Sequence, residues 1–312
     1  MNVYVSGRRQ EMRRACRLIE KLVVDLGLQR RDFESIATSL KDSSIYWMCR
    51  SELQRADIFI GVYGHNYGWI PEKNTFGSET ADGERSILHM EYHWALERQI
   101  PMLLFWLSEE DDDGEPVEYP EEFRETDPVR AEKFECFRRE IHSNQFVYYF
   151  HSLENLRKQA GGALVRMIHR IMFDAEPLDQ LVFVSHSSHD DAFADELCER
   201  LLAVGLHGWV EHQHILPGAD WDAALESALH ASDALVVSIT PEANRSLVVK
   251  AEWSYFAQSG KKIYPILFKG SEIPFRLRLL QYSDFRGDRE VAYARLLRAI
   301  GVTGSLESGI ES

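Results

Sequence analysis

The chain has 312 residues, of which 45% are hydrophobic and 27% charged, and its formal net charge is −15. This length is too great for one ordinary core and suits two α/β domains, while the composition excludes wholesale disorder. The acidic balance argues against nucleic acid as a partner. No segment has the apolar length of a membrane span, and a strand begins almost at Met1, so we expect no membrane partner and no signal peptide.

The cysteines are scattered along the chain, at Cys16, Cys49, Cys136 and Cys198. They show no paired spacing, which is typical of free thiols in a reducing compartment. We therefore predict a cytoplasmic protein.

The first half of the chain alternates short apolar runs with helical patterns. The run at residues 56–63 is apolar on both faces, which is typical of a strand buried inside a parallel sheet. The predicted strands of this half cover residues 3–6, 56–63, 100–105 and 145–150, and a helix follows at residues 153–171.

The second half repeats this order, with predicted strands at residues 182–185, 232–239, 262–268 and 281–285 and a last helix at residues 289–300. Strands that alternate with helices indicate parallel sheets. We therefore predict an α/β protein with two tandem flavodoxin-like three-layer domains, each with a parallel five-stranded sheet, at residues 1–173 and 180–304. The linker is predicted near residues 173–180, where acidic residues and a proline end a helix.

A serine followed by a glutamate recurs near the start of one helix in each half. Ser86 precedes Glu91 in the first half, and Ser246 precedes Glu252 in the second. Any two flavodoxin-like domains share the order of their strands and helices, so that order alone indicates shared architecture and not shared function. The recurring serine and glutamate go beyond the order, and they favour a common origin of the two halves.

Several motifs of the second half fall in a fixed order. They are Val182-Phe183-Val184-Ser185 with the polar turn His186-Ser187-Ser188-His189-Asp190, Gly208-Trp209-Val210-Glu211 followed by Ile215-Leu216-Pro217-Gly218-Ala219-Asp220-Trp221, and Ser246 six positions before Glu252. In this order, from Leu181 to about Gly287, they resemble a TIR domain of the bacterial NAD-cleaving type. One position departs from the pattern, since Val248 stands where many NAD-cleaving members have tryptophan.

The resemblance implies that Glu252 is the catalytic glutamate and that NAD+ is the substrate, with no separate cofactor. Breaking the bond between nicotinamide and ribose passes through an oxocarbenium-like centre, which a carboxylate stabilises. Because nicotinamide is already a cationic leaving group, a single glutamate in a loop-lined pocket suffices. The expected substrate-binding residues are Ser185, His186, Ser187, Asp190, Trp209, Glu211, Pro217, Asp220, Trp221 and Ser246.

Some of these residues also have ordinary structural interpretations. A glutamate near the start of a helix is stabilised by the helix dipole, and a tryptophan at the end of a strand is more often core than ligand contact. The loop histidines, His186 with His189 and His212 with His214, suggest zinc, which needs three or four converging ligands. Because no cysteine pair accompanies them, we predict no metal site.

The first half resembles a TIR-like, flavodoxin-like domain of unknown function that is found in defence-type proteins. The resemblance rests on residues 3–6, 57–68 and 86–95. Residues 64–69 form a glycine-bracketed turn after a buried strand, which suits close approach by a ligand. Glu91 and Ser86 are expected at the same cleft, although an assembly surface without a ligand fits this half as well.

Three functions remain open from the sequence. In the first, the chain is an NAD+ nucleosidase or cyclase, a bacterial anti-phage or immune enzyme that is activated by a trigger or by oligomerisation. In the second, the TIR domain is a non-catalytic scaffold that acts through TIR–TIR interactions, for which residues 215–221 have the composition of a contact loop. A third function places an enzyme activity in the first half, on Glu91.

Overall fold

The computed structural model of the protein describes residues 1–7, 10–31, 42–71, 82–173 and 180–302. The chain divides into two compact units, Met1–Leu164 with Leu216–Ala224 and Val165–Ile215 with Leu225–Ser312. The unit boundary therefore falls inside a helix that the sequence analysis assigned whole to the first domain. The predicted linker at residues 174–179 lies outside the described residues.

The first unit contains a parallel sheet with the strand order β2-β1-β3-β4-β5. Its strands are β1 (Asn2–Gly7), β2 (Gln29–Arg31), β3 (Ile58–Tyr63), β4 (Met102–Leu107) and β5 (Val147–Phe150). The helices that follow these strands are α1 (Arg13–Asp25), α2 (Asp42–Leu53), α3 (Ile87–Glu97), α4 (Pro128–Asn144) and α5 (Leu153–Phe173), the last of which continues into the second unit.

The second unit contains a parallel sheet with the order β10-β9-β8-β6-β7. Its strands are β6 (Leu181–Ser185), β7 (His207–Trp209), β8 (Ala234–Ile239), β9 (Lys262–Leu267) and β10 (Ser283–Asp284). The helices are α6 (Asp191–Leu202), α7 (Glu211–His214), α8 (Trp221–Ala231), α9 (Pro241–Arg245), α10 (Leu247–Ser259) and α11 (Arg289–Ile300). Counted from β6, the second sheet therefore has the same strand order as the first.

Burial explains why these segments form strands at the centre of each sheet. Every residue of β3 and of β8 is buried, as expected for strands that helices cover on both faces. By contrast, the three residues of β2 are polar and partly exposed, which is typical of a short edge strand. The prediction of two parallel five-stranded α/β sheets is confirmed.

Two further expectations concern membranes and thiols. No helix in the described part of the chain is long and apolar enough to cross a membrane. All four cysteines lie in the described ranges, and none of them forms a disulfide.

Candidate functional site

A cavity of about 520 Å³ lies at the carboxyl ends of β6 and β8. The chain goes from β6 to β7 on one side and returns to β8 on the other, so this edge is the switch point of the sheet, where open α/β sheets bind ligands. The volume falls in the range of small-molecule sites, roughly 300–1,000 Å³. The cavity is lined by His186, Ser187, Ser188, His189, Glu211, Glu242, Arg245, Ser246 and Val248.

Two helices that follow β8 bring side chains to this cavity. Thr240 caps α9 by accepting a hydrogen bond from the backbone N–H of Ala243 at 3.1 Å, with Pro241 in the first turn. Ser246 then caps α10, because its Oγ accepts from the N–H of Val249 at 3.2 Å. The caps place Arg245 and Ser246 at the cavity.

The carboxyl group of Glu252 lies on α10 and is completely buried, at 0% exposure. The hydroxyl of Ser185, the last residue of β6, donates a hydrogen bond of 2.5 Å to its Oε2 atom. The contact joins the central strand to the helix. From the sequence we expected Glu252 in a loop-lined pocket, but it is not among the described residues that line the cavity.

A second carboxyl group, that of Glu211, lies beside Glu252. The Oε1 atom of Glu252 receives no hydrogen bond from a described donor, and Glu211, which does line the cavity, lies within hydrogen-bonding reach of Glu252. Two facing carboxyl groups avoid repulsion by sharing a proton. Burial, followed by the interaction with Glu211, raises the pKa of Glu252 to about 9. Glu252 is therefore protonated at neutral pH in this state.

Asp190 has a structural role that the sequence did not indicate. Its side chain is buried, accepts a hydrogen bond from Thr240 Oγ1 at 2.8 Å and pairs with the ammonium group of Lys269. These contacts tie the turn after β6 to the residues after β8 and β9. Its carboxylate has these two partners in the described chain, and its contact with substrate stays a prediction.

Trp209 also lies away from the cavity. It is 3% exposed, and its ring stacks on Phe183 with the centroids 4.8 Å apart. The ring fills the core where β7 pairs with β6, and its contact with the dinucleotide stays a prediction.

The segment after α7 carries the remaining predicted contacts, Pro217, Asp220 and Trp221. Residues 216–224 group with the first unit, where the backbone N–H of Asp220 donates to the carbonyl of Asp25 at 2.7 Å. None of the three is among the described residues that line the cavity after β6 and β8. Their contact with NAD+ stays a prediction.

The histidines near the cavity do not group as their spacing in the sequence suggested, His186 with His189 and His212 with His214. The imidazole of His186 lies 3.0 Å from the carbonyl of Val184 through Nδ1 and 3.1 Å from Asp191 Oδ1 through Nε2. His186, Asp191 and His212 together have the composition of a metal site, because one ligand atom from each lies within 4.8 Å of those of the other two. The first unit has a second such group, made of His89, His93 and Glu140.

The cavity also contains residues that the sequence analysis missed, among them Arg245 and Glu242. Both lie on α9, a helix of only five residues, which is too short for a periodic pattern. The Thr240-Pro241 pair at its start is the one signal in the sequence that points to this helix.

The first unit repeats the buried serine–glutamate contact. Ser6 of β1 donates a hydrogen bond of 2.6 Å to Glu91 Oε2, and the hydroxyl of Tyr4 donates one of 2.6 Å to Oε1. Ser86 caps α3 by accepting from the N–H of His89 at 3.3 Å, as Ser246 caps α10. Glu91 is 4% exposed and lines a cavity of about 520 Å³.

Comparisons with known proteins match both halves. Residues 2–165 match the family model of a domain of unknown function, DUF4062, and residues 182–297 match the model of the TIR domain. The resemblances to a TIR domain and to a domain of unknown function are thereby confirmed. No curated protein matches the chain.

Among solved structures, the chain is similar to the crystal structure of the TIR domain of the Toll-related receptor TRR-2 from the lower metazoan Hydra magnipapillata. The two are 21% identical, with a TM-score of 0.35, over 38% of this chain and 96% of that one.

Proposed function

Since the chain belongs to the DUF4062 family and carries a TIR domain at residues 182–297, we propose that it cleaves the nicotinamide–ribose bond of NAD+. The enzyme is a nucleosidase or a cyclase, and Glu252 is its catalytic residue. The observation that supports this most is the buried contact between Ser185 and Glu252 beside a cavity at the switch point of the sheet.

The chemistry requires little more than a fixed carboxylate. When the bond between C1′ of ribose and the nicotinamide nitrogen breaks, its electron pair neutralises nicotinamide and leaves positive charge on the ribose. An ionised Glu252 stabilises that charge most effectively in a site that excludes water. Water then adds to C1′ and loses a proton to give ADP-ribose, or a nucleophile of the same molecule closes a ring.

Glu211 controls when Glu252 is able to act. In the state described here the two carboxyl groups lie together and Glu252 is protonated and inaccessible. A cationic nicotinamide–ribose that enters between them favours the ionised form of Glu252, since an opposite charge lowers the pKa of a carboxyl group. This state is therefore a resting one, and substrate entry with displacement of Glu211 completes the site.

The other residues that line the cavity suit the rest of the dinucleotide. The guanidinium of Arg245 is the natural partner for the diphosphate, because arginine binds phosphate with paired hydrogen bonds. Ser187 and Ser246 offer hydroxyl groups to ribose, and His186 forms part of the same wall. The predicted substrate contacts of these three residues are compatible with their positions.

A resting state of this kind fits an enzyme that a trigger or self-association activates, as in immune or anti-phage defence. The DUF4062 domain would then sense the trigger, and copies of the TIR domain would assemble. We expect NAD+ consumption per molecule to rise with protein concentration. Flat specific activity across a dilution series, with the monomer verified by light scattering, would contradict activation by assembly.

A non-catalytic scaffold is the second candidate, and one observation favours it. Val248 lines the cavity at the position where tryptophan was expected, and the only aromatic rings among the described lining residues are the imidazoles of His186 and His189. The cavity therefore offers the nicotinamide or adenine ring little stacking surface. A scaffold would self-associate but would leave NAD+ intact.

Incubation of the purified chain with NAD+, with the products resolved by mass, separates the two candidates. Glu252→Gln keeps the shape of the protonated carboxyl group, so the fold should survive while turnover falls about a hundredfold or more. Glu199→Gln, on the exposed face of α6, is the matched control and should leave turnover unchanged. Intact NAD+ with wild type, or full turnover by folded Glu252→Gln, would reject the assignment.

A further inference from the structure

We propose that the first unit binds a purine nucleotide in the cavity beside Glu91, independently of the TIR domain. This cavity of about 520 Å³ lies at the carboxyl end of β1, at residues 5–7, and is closed by Gly68 and Trp69 from the turn after β3. The chain leaves β1 for β2 on one side and passes to β3 on the other. The cavity is thus at the switch point, the place where α/β sheets bind nucleotides.

One wall of the cavity is a buried carboxylate with a fixed orientation. The hydroxyl groups of Tyr4 and Ser6 each donate a hydrogen bond to Glu91, one to each oxygen, at 2.6 Å. Unlike Glu252, Glu91 is itself a lining residue of its cavity. A carboxylate held in this way recognises ligand groups that donate hydrogen bonds, such as the hydroxyls of a ribose or the amino group of a purine.

A second part of the cavity lining supplies positive charge. Arg31, which lies opposite Tyr4 in the register of β2 with β1, lines the cavity, and its Nε atom is buried without a hydrogen-bond partner among the described residues. A buried donor of this kind is costly unless a ligand satisfies it. An anionic group of the ligand, most suitably a phosphate, provides the acceptor.

A second guanidinium, that of Arg130, is anchored at the same cavity. Its Nη2 donates to the carbonyl of Gly68 at 2.7 Å, and its Nε lies 3.3 Å from Glu125. These contacts hold α4 and the turn after β3 together. They hold the guanidinium of Arg130, paired with Glu125, in the cavity lining.

A third part of the cavity lining is apolar. It includes Trp69, Ile87 and Leu88, an indole ring and two aliphatic side chains. Gly68 adopts a positive φ of 87°, which turns the chain so that Trp69 reaches the cavity. A planar base stacks on such a surface. The lining therefore offers Arg31 for a phosphate, Glu91 for a ribose hydroxyl and Trp69 for a base. A ligand with all three parts is a nucleotide.

The test is a calorimetric titration of the full chain with ADP, which lacks the nicotinamide–ribose bond that the TIR domain is proposed to cleave. We expect saturable binding at one site. Arg31→Gln and Glu91→Gln should each weaken it about tenfold or more, since a hydrogen bond to a charged group is lost. Arg55→Gln is the matched control, because Arg55 is exposed and away from the cavity, and it should bind ADP like the parent.

Adenosine and inorganic pyrophosphate, titrated alone, separate the two parts of the ligand, and each should bind more weakly than ADP. If pyrophosphate binds as tightly as ADP, the claim that the apolar lining binds the base is wrong. Absence of ADP binding, or a loss of binding in Arg245→Gln with Arg31→Gln unchanged, would overturn the proposal. If Glu91→Gln fails to fold, as judged by circular dichroism, Arg31→Gln and Trp69→Ala decide the outcome in the same way.

Discussion

The two halves of the molecule place the same pair of residues in the same position but surround it differently. In each half a serine near the end of the first strand donates to a glutamate on the helix after the third strand, at 2.6 Å from Ser6 to Glu91 and at 2.5 Å from Ser185 to Glu252. In each half another serine caps that helix, Ser86 in one and Ser246 in the other.

The surroundings of the two carboxyl groups differ in charge and in access. Glu91 accepts a second hydrogen bond, from Tyr4, and lines its cavity. Glu252 instead faces the carboxyl group of Glu211, is 0% exposed and has a pKa raised to about 9. One architecture thus gives a carboxyl group that lines its cavity in one half and a fully buried carboxyl group with a raised pKa in the other.

The largest effect expected of pH is on the rate of NAD+ cleavage. If the ionised form of Glu252 is required, kcat/KM should rise about 50-fold from pH ~7 to ~9, following the ionised fraction of a group with a pKa of about 9. Glu211→Gln removes the facing charge and should move this rise to lower pH. Profiles of kcat/KM for the two proteins check this, and coinciding profiles would show that Glu211 does not control Glu252.

The same pKa predicts a pH dependence of stability. The pKa of Glu252 is raised to about 9 in the folded protein from its ordinary value of 4.5, so the folded state holds an extra proton between these values. Stability is then greatest below the lower value and falls as pH rises through this window, by up to about 1.4 kcal/mol per pH unit.

Glu252→Gln cannot ionise and should have a shallower slope of stability against pH. Urea unfolding of both proteins from pH ~5 to ~9 measures the difference. Parallel curves for wild type and variant would contradict a raised pKa. Glu199→Gln, which replaces an exposed glutamate of the same unit, is the control and should follow wild type.

A smaller effect is expected from the strand serines. Ser185→Ala removes the one described donor to Glu252, whereas Ser6→Ala leaves Tyr4 bonded to Glu91. An unsatisfied buried group costs about 1–3 kcal/mol, so Ser185→Ala should lower the free energy of unfolding more than Ser6→Ala. Equal losses would mean that Tyr4 does not compensate for Ser6, and Tyr4→Phe with Ser6→Ala then shows whether the two hydroxyls act together.

The smallest effect is expected from the helix caps. Ser86→Ala and Ser246→Ala each remove one side-chain hydrogen bond to a backbone N–H, at 3.3 and 3.2 Å respectively. Each should lower the free energy of unfolding by about 1 kcal/mol. Thermal unfolding of the two variants measures this, and Ser86→Thr and Ser246→Thr, which keep the hydroxyl, should recover most of the loss.

The sequence predicted the sheets because their central strands are apolar on both faces, as in β3 and β8. It did not predict β2, whose three residues Gln29–Arg31 form a strand only by pairing with β1. The helix Pro128–Asn144 was also missed, although Asp127 caps it and Pro128 begins it. The pattern of apolar residues reveals buried strands, whereas an edge strand such as β2 forms only because a neighbouring strand pairs with it.

The site was predictable in its residue types and less so in its contacts. The Ser246 and Glu252 pattern indicated the helix, but the burial of Glu252 and the approach of Glu211 come from packing between elements 41 positions apart, since 252 − 211 = 41. The core position of Trp209 agrees with the structural alternative that its place at a strand end suggests, whereas no local pattern indicates the ion pair of Asp190 with Lys269. Such partners follow from tertiary structure rather than from spacing.

The most direct test of the division between the two carboxyl groups compares Glu252→Gln and Glu91→Gln in two assays, NAD+ turnover and ADP binding. We predict that each variant is impaired in only one of the two assays. Glu252→Gln should lose about a hundredfold or more in turnover and keep its affinity for ADP, whereas Glu91→Gln should keep turnover within about twofold and lose about tenfold or more in affinity. Loss of turnover in Glu91→Gln, with Glu252→Gln fully active, would contradict the account and place the catalyst in the first unit.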